Sequence, residues 1–311
     1  MNGLQLSEKY FFKIGQKMIK EKYNNYEDQI AAGLVGEGSE CLKFDDDISQ
    51  DHDWGPGFCL WLNQETFNII GASLQSEYNK LPKNFEGYTN RNTNKWINQR
   101  VGVFEINAFY AQFTGLYRFP KSLLEWRRIP EEYLSAATNG KVFIDQAGLF
   151  SEIRKNLLDY YPEDVRLKKI ASRCMIAGQS GQYNFFRCLR RKEYIAAHHA
   201  LSLFIRNSIS LIFLLNRRYM PYYKWMHRAL NNLPILGQTL FPVFHNLAIE
   251  DFRKSRKIMC NKIEEISTSI IQEFKKQELS DLTSNFLCDH GPIVQSKIND
   301  PGLRNTHVMV E

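Results

Sequence analysis

One stretch limits what this chain can build: Gly33-Leu-Val-Gly-Glu-Gly-Ser39, followed twelve residues later by Asp51-His-Asp53. Ile30 to Val35 is an apolar, strand-like run, and Gly36, Gly38 and Ser39 turn the chain out of it. Glycines let backbone approach a ligand with no Cβ in the way. Ser39 adds a hydroxyl, and a helix starting near it would offer free N–H groups to phosphate oxygens. Two carboxylates spaced i, i+2 in extended chain face one side, roughly 6–7 Å apart. That is close enough to share two divalent ions about 3.5–4 Å from each other. Mg2+ is the expected ion, because carboxylate and phosphate oxygens are its usual ligands. Glu37, Glu40, Asp45, Asp46 and Asp47 make the region acid-rich. The triple-Asp run lacks the spacing and closing Glu of a calcium-binding hand and reads as a solvated loop. Before the apolar run Phe58–Leu62 comes Trp54-Gly-Pro-Gly57, which would break a central strand. Asp51 and Asp53 are therefore expected on a loop or bulge ahead of it.

The rest of the chain alternates briefly and then turns helical. Residues 6–22 carry Tyr10, Phe11, Ile14, Met18 and Ile19 at helical spacing, with Ser7 as N-cap. A helix is expected over 64–80, a third strand over Arg100–Ile106 and an edge strand over Lys141–Asp145. Short helices are expected at about 107–115, 121–127 and 130–137. From Leu149 onward the pattern is nearly all helix, with Gly178-Gln-Ser-Gly-Gln-Tyr-Asn184 as a flexible loop. After about Asp281 the sequence loses periodicity and reads as a loosely packed tail. The expected fold class is α+β: a small α/β module with a short mixed sheet over 1–148, an all-helical domain over 149–280, and a polar tail over 281–311.

Charge is uneven. The net charge is +6, yet residues 151–230 hold fifteen Lys and Arg against five acids. An acidic N-terminal site with a basic helical half suits a polyanionic substrate carried with a cation. Six scattered cysteines without a Cys-x-x-Cys pair point to reduced thiols in a cytoplasmic protein. Met1–Lys20 lacks the apolar core of a signal peptide. Ile195–Leu215 is apolar but contains His198, His199 and Arg206, so a buried helix fits better than a membrane span. Leu214 to Trp225 interleaves Arg217, Arg218 and Lys224 with Tyr219, Tyr222, Tyr223 and Trp225 around a proline. Such a mixture can pair with phosphates and stack a base.

Gly38-Ser39, then Asp51-x-Asp53, then an acid on a later strand resembles the signature of the DNA polymerase beta-like nucleotidyltransferase superfamily, which includes kanamycin nucleotidyltransferase. Gly36-Glu-Gly-Ser-Glu40, Asp51-His-Asp-Trp-Gly-Pro-Gly-Phe58 and Asn216-Arg-Arg-Tyr-Met-Pro-Tyr-Tyr-Lys-Trp225 resemble, more narrowly, a bacterial family of unknown function within it. The likeness runs over most of residues 1–245. It implies that Gly38 and Ser39 hold the triphosphate of an NTP donor, and that Asp51 and Asp53 bind two Mg2+. It also implies a third carboxylate that activates the acceptor hydroxyl. Glu105 on the third strand is the first candidate and Asp145 its rival. Arg217 and Lys224 are the candidate nucleotide contacts of the helical half, which would bind the acceptor. The implied activity is transfer of an NMP from an NTP to a hydroxyl of a small molecule, protein or RNA. The alternatives are a catalytically silent nucleotide- or RNA-binding relative and a toxin–antitoxin type of transferase.

Overall fold

The computed structural model describes residues 1–51, 53–89, 91, 100–251 and 254–311. His52, between the two candidate aspartates, lies outside the described residues. The chain divides into two compact units that interleave in sequence. The first is Met1–Pro120 with Tyr133–Asp159; the second is Lys121–Glu132 with Tyr160–Glu311.

The first unit opens with helix α1 (Gly3–Tyr10), which runs through a π-helical turn (Phe11–Gly15) into α2 (Gln16–Lys22). The cap is Asn2 rather than Ser7: Asn2 and Gln5 close a reciprocal capping box, and Ser7 is buried inside the helix. Four strands follow, β1 (Ala31–Leu34), β2 (Cys59–Leu62), β5 (Gly102–Glu105) and β6 (Lys141–Ile144), in the spatial order β5-β2-β1-β6. β1 is antiparallel to both β2 and β6, and β2 is parallel to β5. The mixed sheet and the edge position of β6 are those expected from the sequence. A two-residue ladder, β3 (Asn84–Phe85) with β4 (Tyr88–Thr89), stands apart from it.

Helices cover the sheet on both faces, which is why β2 reads as an unbroken apolar run. On one face Leu6, Phe11 and Ile19 join Leu60 and Leu62, together with Ile70 and Leu74 of α3 (Gln64–Asn79). On the other, Trp61 stacks on Phe150 with centroids 3.7 Å apart and meets Phe109 edge-on. Phe109 belongs to α4 (Ile106–Thr114) and Phe150 to α7 (Leu149–Leu158). That stack ties α7 to the sheet. The boundary expected at 148/149 is thus displaced: the first unit runs on to Asp159, while α5 (Leu123–Arg128) counts with the second. α6 (Glu131–Thr138) straddles the division.

The second unit is helical. α8 (Glu163–Ala177) continues through a π-helical stretch (Gly178–Phe185) into α9 (Phe186–Arg190), so the loop expected at 178–184 is instead helix. α10 (Tyr194–Leu215) is the core helix; Phe204, Ile209, Leu211, Ile212 and Leu214 are fully buried. It is long and apolar enough to cross a membrane, but two-thirds of its apolar window is buried within the protein. α11 (Tyr223–Leu230), α12 (Gly237–Ile249) and α13 (Arg256–Lys276) follow.

The polar tail expected after residue 281 is a correction. Residues 287–304 form α14 (Leu287–Ser296) and α15 (Pro301–Arg304), and Leu287, Val294, Ile298 and Leu303 are core residues. Fully buried His290 ties Ser280 Oγ (2.8 Å) to the Ser284 carbonyl (2.9 Å). Beyond α15 the chain lies along α8. Lys168 Nζ donates to the carbonyls of Thr306 and His307, Ser172 Oγ donates to that of Met309, and Arg173 pairs with Glu311. Every buried donor needs an acceptor, and here remote backbone supplies them to α8.

Candidate functional site

Pairing directions decide what meets at each end of the sheet. β1 ends where β2, β5 and β6 begin, so Gly36, Asp53 and Arg100 gather at one end. The end where β5 and β6 finish carries Glu105 and Asp145.

At the first end the loop leaves β1 through Gly36, at φ +125°, and Gly38, at φ +130°. Asn139 clamps Gly36 from both sides, its Oδ1 accepting from the Gly36 N–H (3.0 Å) and its Nδ2 donating to the Gly36 carbonyl (2.7 Å). A Cβ on Gly38 would collide with Arg100 Nη2 and meet Glu40 Oε2 at 2.5 Å, so a larger residue there would strain the backbone and displace both ends of the ion pair. The helix expected near Ser39 is a single 3-10 turn, Glu40–Leu42, whose short length gives little axial dipole. Ser39 precedes it half-buried and makes no side-chain cap.

Inside this loop two acids and two arginines form a buried cluster. Glu40 is 2% exposed and Asp53 5%. Glu40 Oε1 accepts from Arg91 Nη1 at 2.8 Å and from Arg100 Nη2 at 3.1 Å. Arg100 Nη1 donates to Asp53 Oδ2, and Arg91 Nη1 also donates to the Asp53 carbonyl at 3.0 Å. Burial acts to raise the Glu40 carboxyl, but Arg91 and Arg100 outweigh it and hold it below the usual carboxylate range. Arg100 is likewise pulled down by burial and pushed further up by Glu40 and Asp53.

Asp51 and Asp53 do not share a face. Asp51 closes an exposed 3-10 turn, Ile48–Asp51, whereas Asp53 is buried in left-handed backbone at φ +52°. Both lie ahead of β2, as the Trp54–Gly57 interruption implied, but the extended i, i+2 geometry is not realised. Asp53 Oδ1 is buried and no described residue donates to it. Asp45, read as solvated, accepts from the Gly3 N–H (2.6 Å) and Trp54 Nε1 (3.0 Å) and so anchors α1.

The two candidates for a third carboxylate are elsewhere and engaged. Glu105 caps α4, accepting from the N–H groups of Asn107 (2.9 Å) and Ala108 (2.6 Å). Asp145 accepts from those of Gly148 (3.0 Å) and Ser151 (2.7 Å) at the start of α7. Neither is brought to Asp53. Among the described residues no group of three or more His, Cys, Asp or Glu side chains converges as a metal centre requires. The residues present thus do not fit the two-ion centre that the resemblance implies. Arg217 and Lys224 belong to the second unit, where Arg217 pairs with Glu163 (2.7 Å) and Lys224 sits over the Trp225 ring (5.1 Å).

Sequence reasoning missed Arg91 and Arg100, which flank a polar, Asn-rich segment and carry no motif. The signal available was stoichiometric: Glu40 and Asp53 border apolar runs, and buried carboxylates need cationic partners.

Titration bounds the stability of the first unit on both sides. Glu40 titrates lower folded than unfolded, so its stabilisation is present above about pH 4.5 and lost as pH falls through the folded value. Burial pushes the Cys59 thiol from 9.0 and the Tyr10 phenol from 10.0 up to about 12. The stabilisation they confer is full below pH 9 and lost as pH rises from 9 toward 12. Denaturant midpoints measured against pH should show a plateau between about 5 and 9 with both flanks falling. A midpoint that holds constant from pH 7 to 11 would contradict the buried, protonated state of these groups.

The family model "Domain of unknown function (DUF4037)" matches residues 126–226, a stretch that leaves out the Gly36–Asp53 loop. No curated protein matches the chain. Among solved structures, a nucleotidyltransferase-like protein from Exiguobacterium sibiricum 255-15 is similar at 10% identity and a TM-score of 0.36. That match covers 86% of this chain and 81% of the other.

Proposed function

We propose that the chain is a nucleotidyltransferase-like protein that binds a nucleoside triphosphate at the Gly36 end of its four-stranded sheet. Asp53 carries the reading: it is buried in left-handed backbone, held by two arginines, with Oδ1 facing no described donor. It lies beside a glycine loop whose shape Asn139 fixes. The order strand, Gly-x-Gly-Ser turn, acid, antiparallel strand supports the same reading, because it is the order that the sequence resemblance implies. Transfer of the nucleotide to an acceptor hydroxyl, with Mg2+ as counter-ion of the triphosphate, is the finer form of this reading. A cytoplasmic location accords with six free cysteines.

Binding without turnover is the second reading, and one arrangement favours it. Arg91 and Arg100 together already neutralise Glu40 and Asp53, and Glu105 and Asp145 serve as helix caps at the other end of the sheet.

Calorimetric titration with each of the four NTPs, with and without Mg2+, tests the common part. Binding is expected for at least one, weakened about tenfold or more in Asp53→Asn, since one such interaction is worth on the order of 1.4 kcal/mol. Failure of all four NTPs to bind sinks the proposal. Transfer of the label from α-labelled NTP to a candidate acceptor, with pyrophosphate released, then separates transfer from silent binding.

A further inference from the structure

The second unit contains a charged corner that the nucleotide site does not use. α9 ends at Arg190, the chain turns through Arg191 and Lys192, and α10 begins at Tyr194. The turn is well fixed: Lys192 closes it at φ +62°, the Arg191 N–H donates to the Arg187 carbonyl (3.2 Å), and that of Glu193 to the Cys188 carbonyl (3.0 Å). Four cations lie within seven residues, Arg187, Arg190, Arg191 and Lys192, with Glu193 as the one acid. All four are exposed.

None of these four cations is neutralised by a described carboxylate. Arg166, Arg173, Arg206 and Arg217 of the same unit each pair with a carboxylate. Like charges held together on a rigid turn repel one another, and a polyanion relieves that repulsion while releasing its counter-ions. Aromatic rings stand among them. Tyr183 is 49% exposed, with the Arg187 guanidinium 4.7 Å from its ring centroid, and Tyr194 is 44% exposed. His198 and His199 follow on the exposed side of α10.

We propose that this α9–α10 corner is a binding surface for single-stranded RNA. Phosphates would pair with Arg190, Arg191 and Lys192, and unstacked bases would lie on Tyr183 and Tyr194. Exposed ring faces have no use against a duplex backbone, whereas single-stranded RNA presents bases free to stack. A membrane surface fits less well: three of the four cations are arginines, and Ile195 is the one large aliphatic side chain at the tip, too little apolar area to insert. The inference does not depend on nucleotide binding by the first unit.

Fluorescence anisotropy of the full chain with a labelled oligouridylate of about 20 nucleotides, longer than one aromatic-lined groove needs, tests it. The triple variant Arg190→Glu, Arg191→Glu, Lys192→Glu should bind at least tenfold more weakly at low salt. Its log K against log salt slope should shrink by about two, the share of three phosphates on a single strand. These side chains touch no core, so circular dichroism should be unchanged. A charge-matched control, Lys254→Glu, Lys257→Glu, Lys275→Glu, should keep the binding. Tyr183→Ala with Tyr194→Ala should cost about fivefold or more, the loss of stacking alone. Three results overturn the proposal: no RNA binding by the wild type, equal losses in the control, or binding to phosphatidylserine vesicles in place of RNA.

Discussion

Arg100→Met is expected to destabilise the first unit by about 3–5 kcal/mol, the usual cost of removing one partner from a buried charge group. Arg100 is shared. It donates to Glu40 at 3.1 Å and to Asp53, and both acids are buried. Without it Asp53 keeps only the contact that Arg91 makes with its carbonyl, and its carboxylate faces no described cation. Glu40 retains Arg91, so Asp53 bears the greater part of the loss. Because the Arg100 side chain is 16% exposed, water entry makes the lower half of the range the better expectation. Urea unfolding followed through Trp54 and Trp61 measures it. Adding Asp53→Asn to Arg100→Met should recover part of the loss, since a neutral amide replaces an unpaired charge. An unaltered midpoint in the single variant would mean that the cluster is solvated and that its charges are screened.

Gly140→Ala should be the most damaging loss of freedom caused by one methyl group. Gly140 sits at φ +64° directly after Asn139, and its N–H donates to the Cys41 carbonyl at 2.9 Å. A Cβ there would collide with the Leu34 carbonyl oxygen and meet Val35 Cα at 3.0 Å. All of these are backbone atoms of the β1 end, so no side chain can swing away. Left-handed strain and overpacking together are expected to cost about 2–6 kcal/mol. Gly148→Ala provides the comparison, because Gly148 has φ +74° but open space around its missing Cβ. It should cost only about 1–2 kcal/mol, the strain alone. If the two variants melt alike, the turn must shift freely from β1. In that case Asn139 would not hold Gly36, and the loop at the candidate site would lose its fixed shape.

The four strands were legible because each is a short apolar run bounded by Gly, Pro or Asn, and because β2 is buried on both faces. The interruption at Trp54–Gly57 correctly placed Asp51 and Asp53 off the strand. Their relation to each other was not legible: one residue in left-handed backbone turned Asp53 inward and left Asp51 exposed, and spacing alone assumes extended chain. Glu105 had the strand context of a third carboxylate, yet strand context cannot say at which end of a mixed sheet a residue falls. That depends on whether the partner is parallel, and β5 is parallel to β2. The residues after 281 were misjudged for another reason. Leu287, Val294, Ile298 and Leu303 are sparse along the sequence, and their burial depends on a partner, α8, more than a hundred positions away.

The strapping of α8 by residues 306–311 has a consequence for synthesis. Lys168 and Ser172 find their acceptors 137–139 positions later in the chain. A ribosome moving at 5–20 residues per second takes roughly 7–28 s to cover that distance. The second unit therefore emerges with a buried-type lysine and arginine still uncapped, while the last residue of the first unit is Asp159. The order of birth favours an early-folding sheet module, with residues 121–132 waiting for the rest of the helical unit to be made.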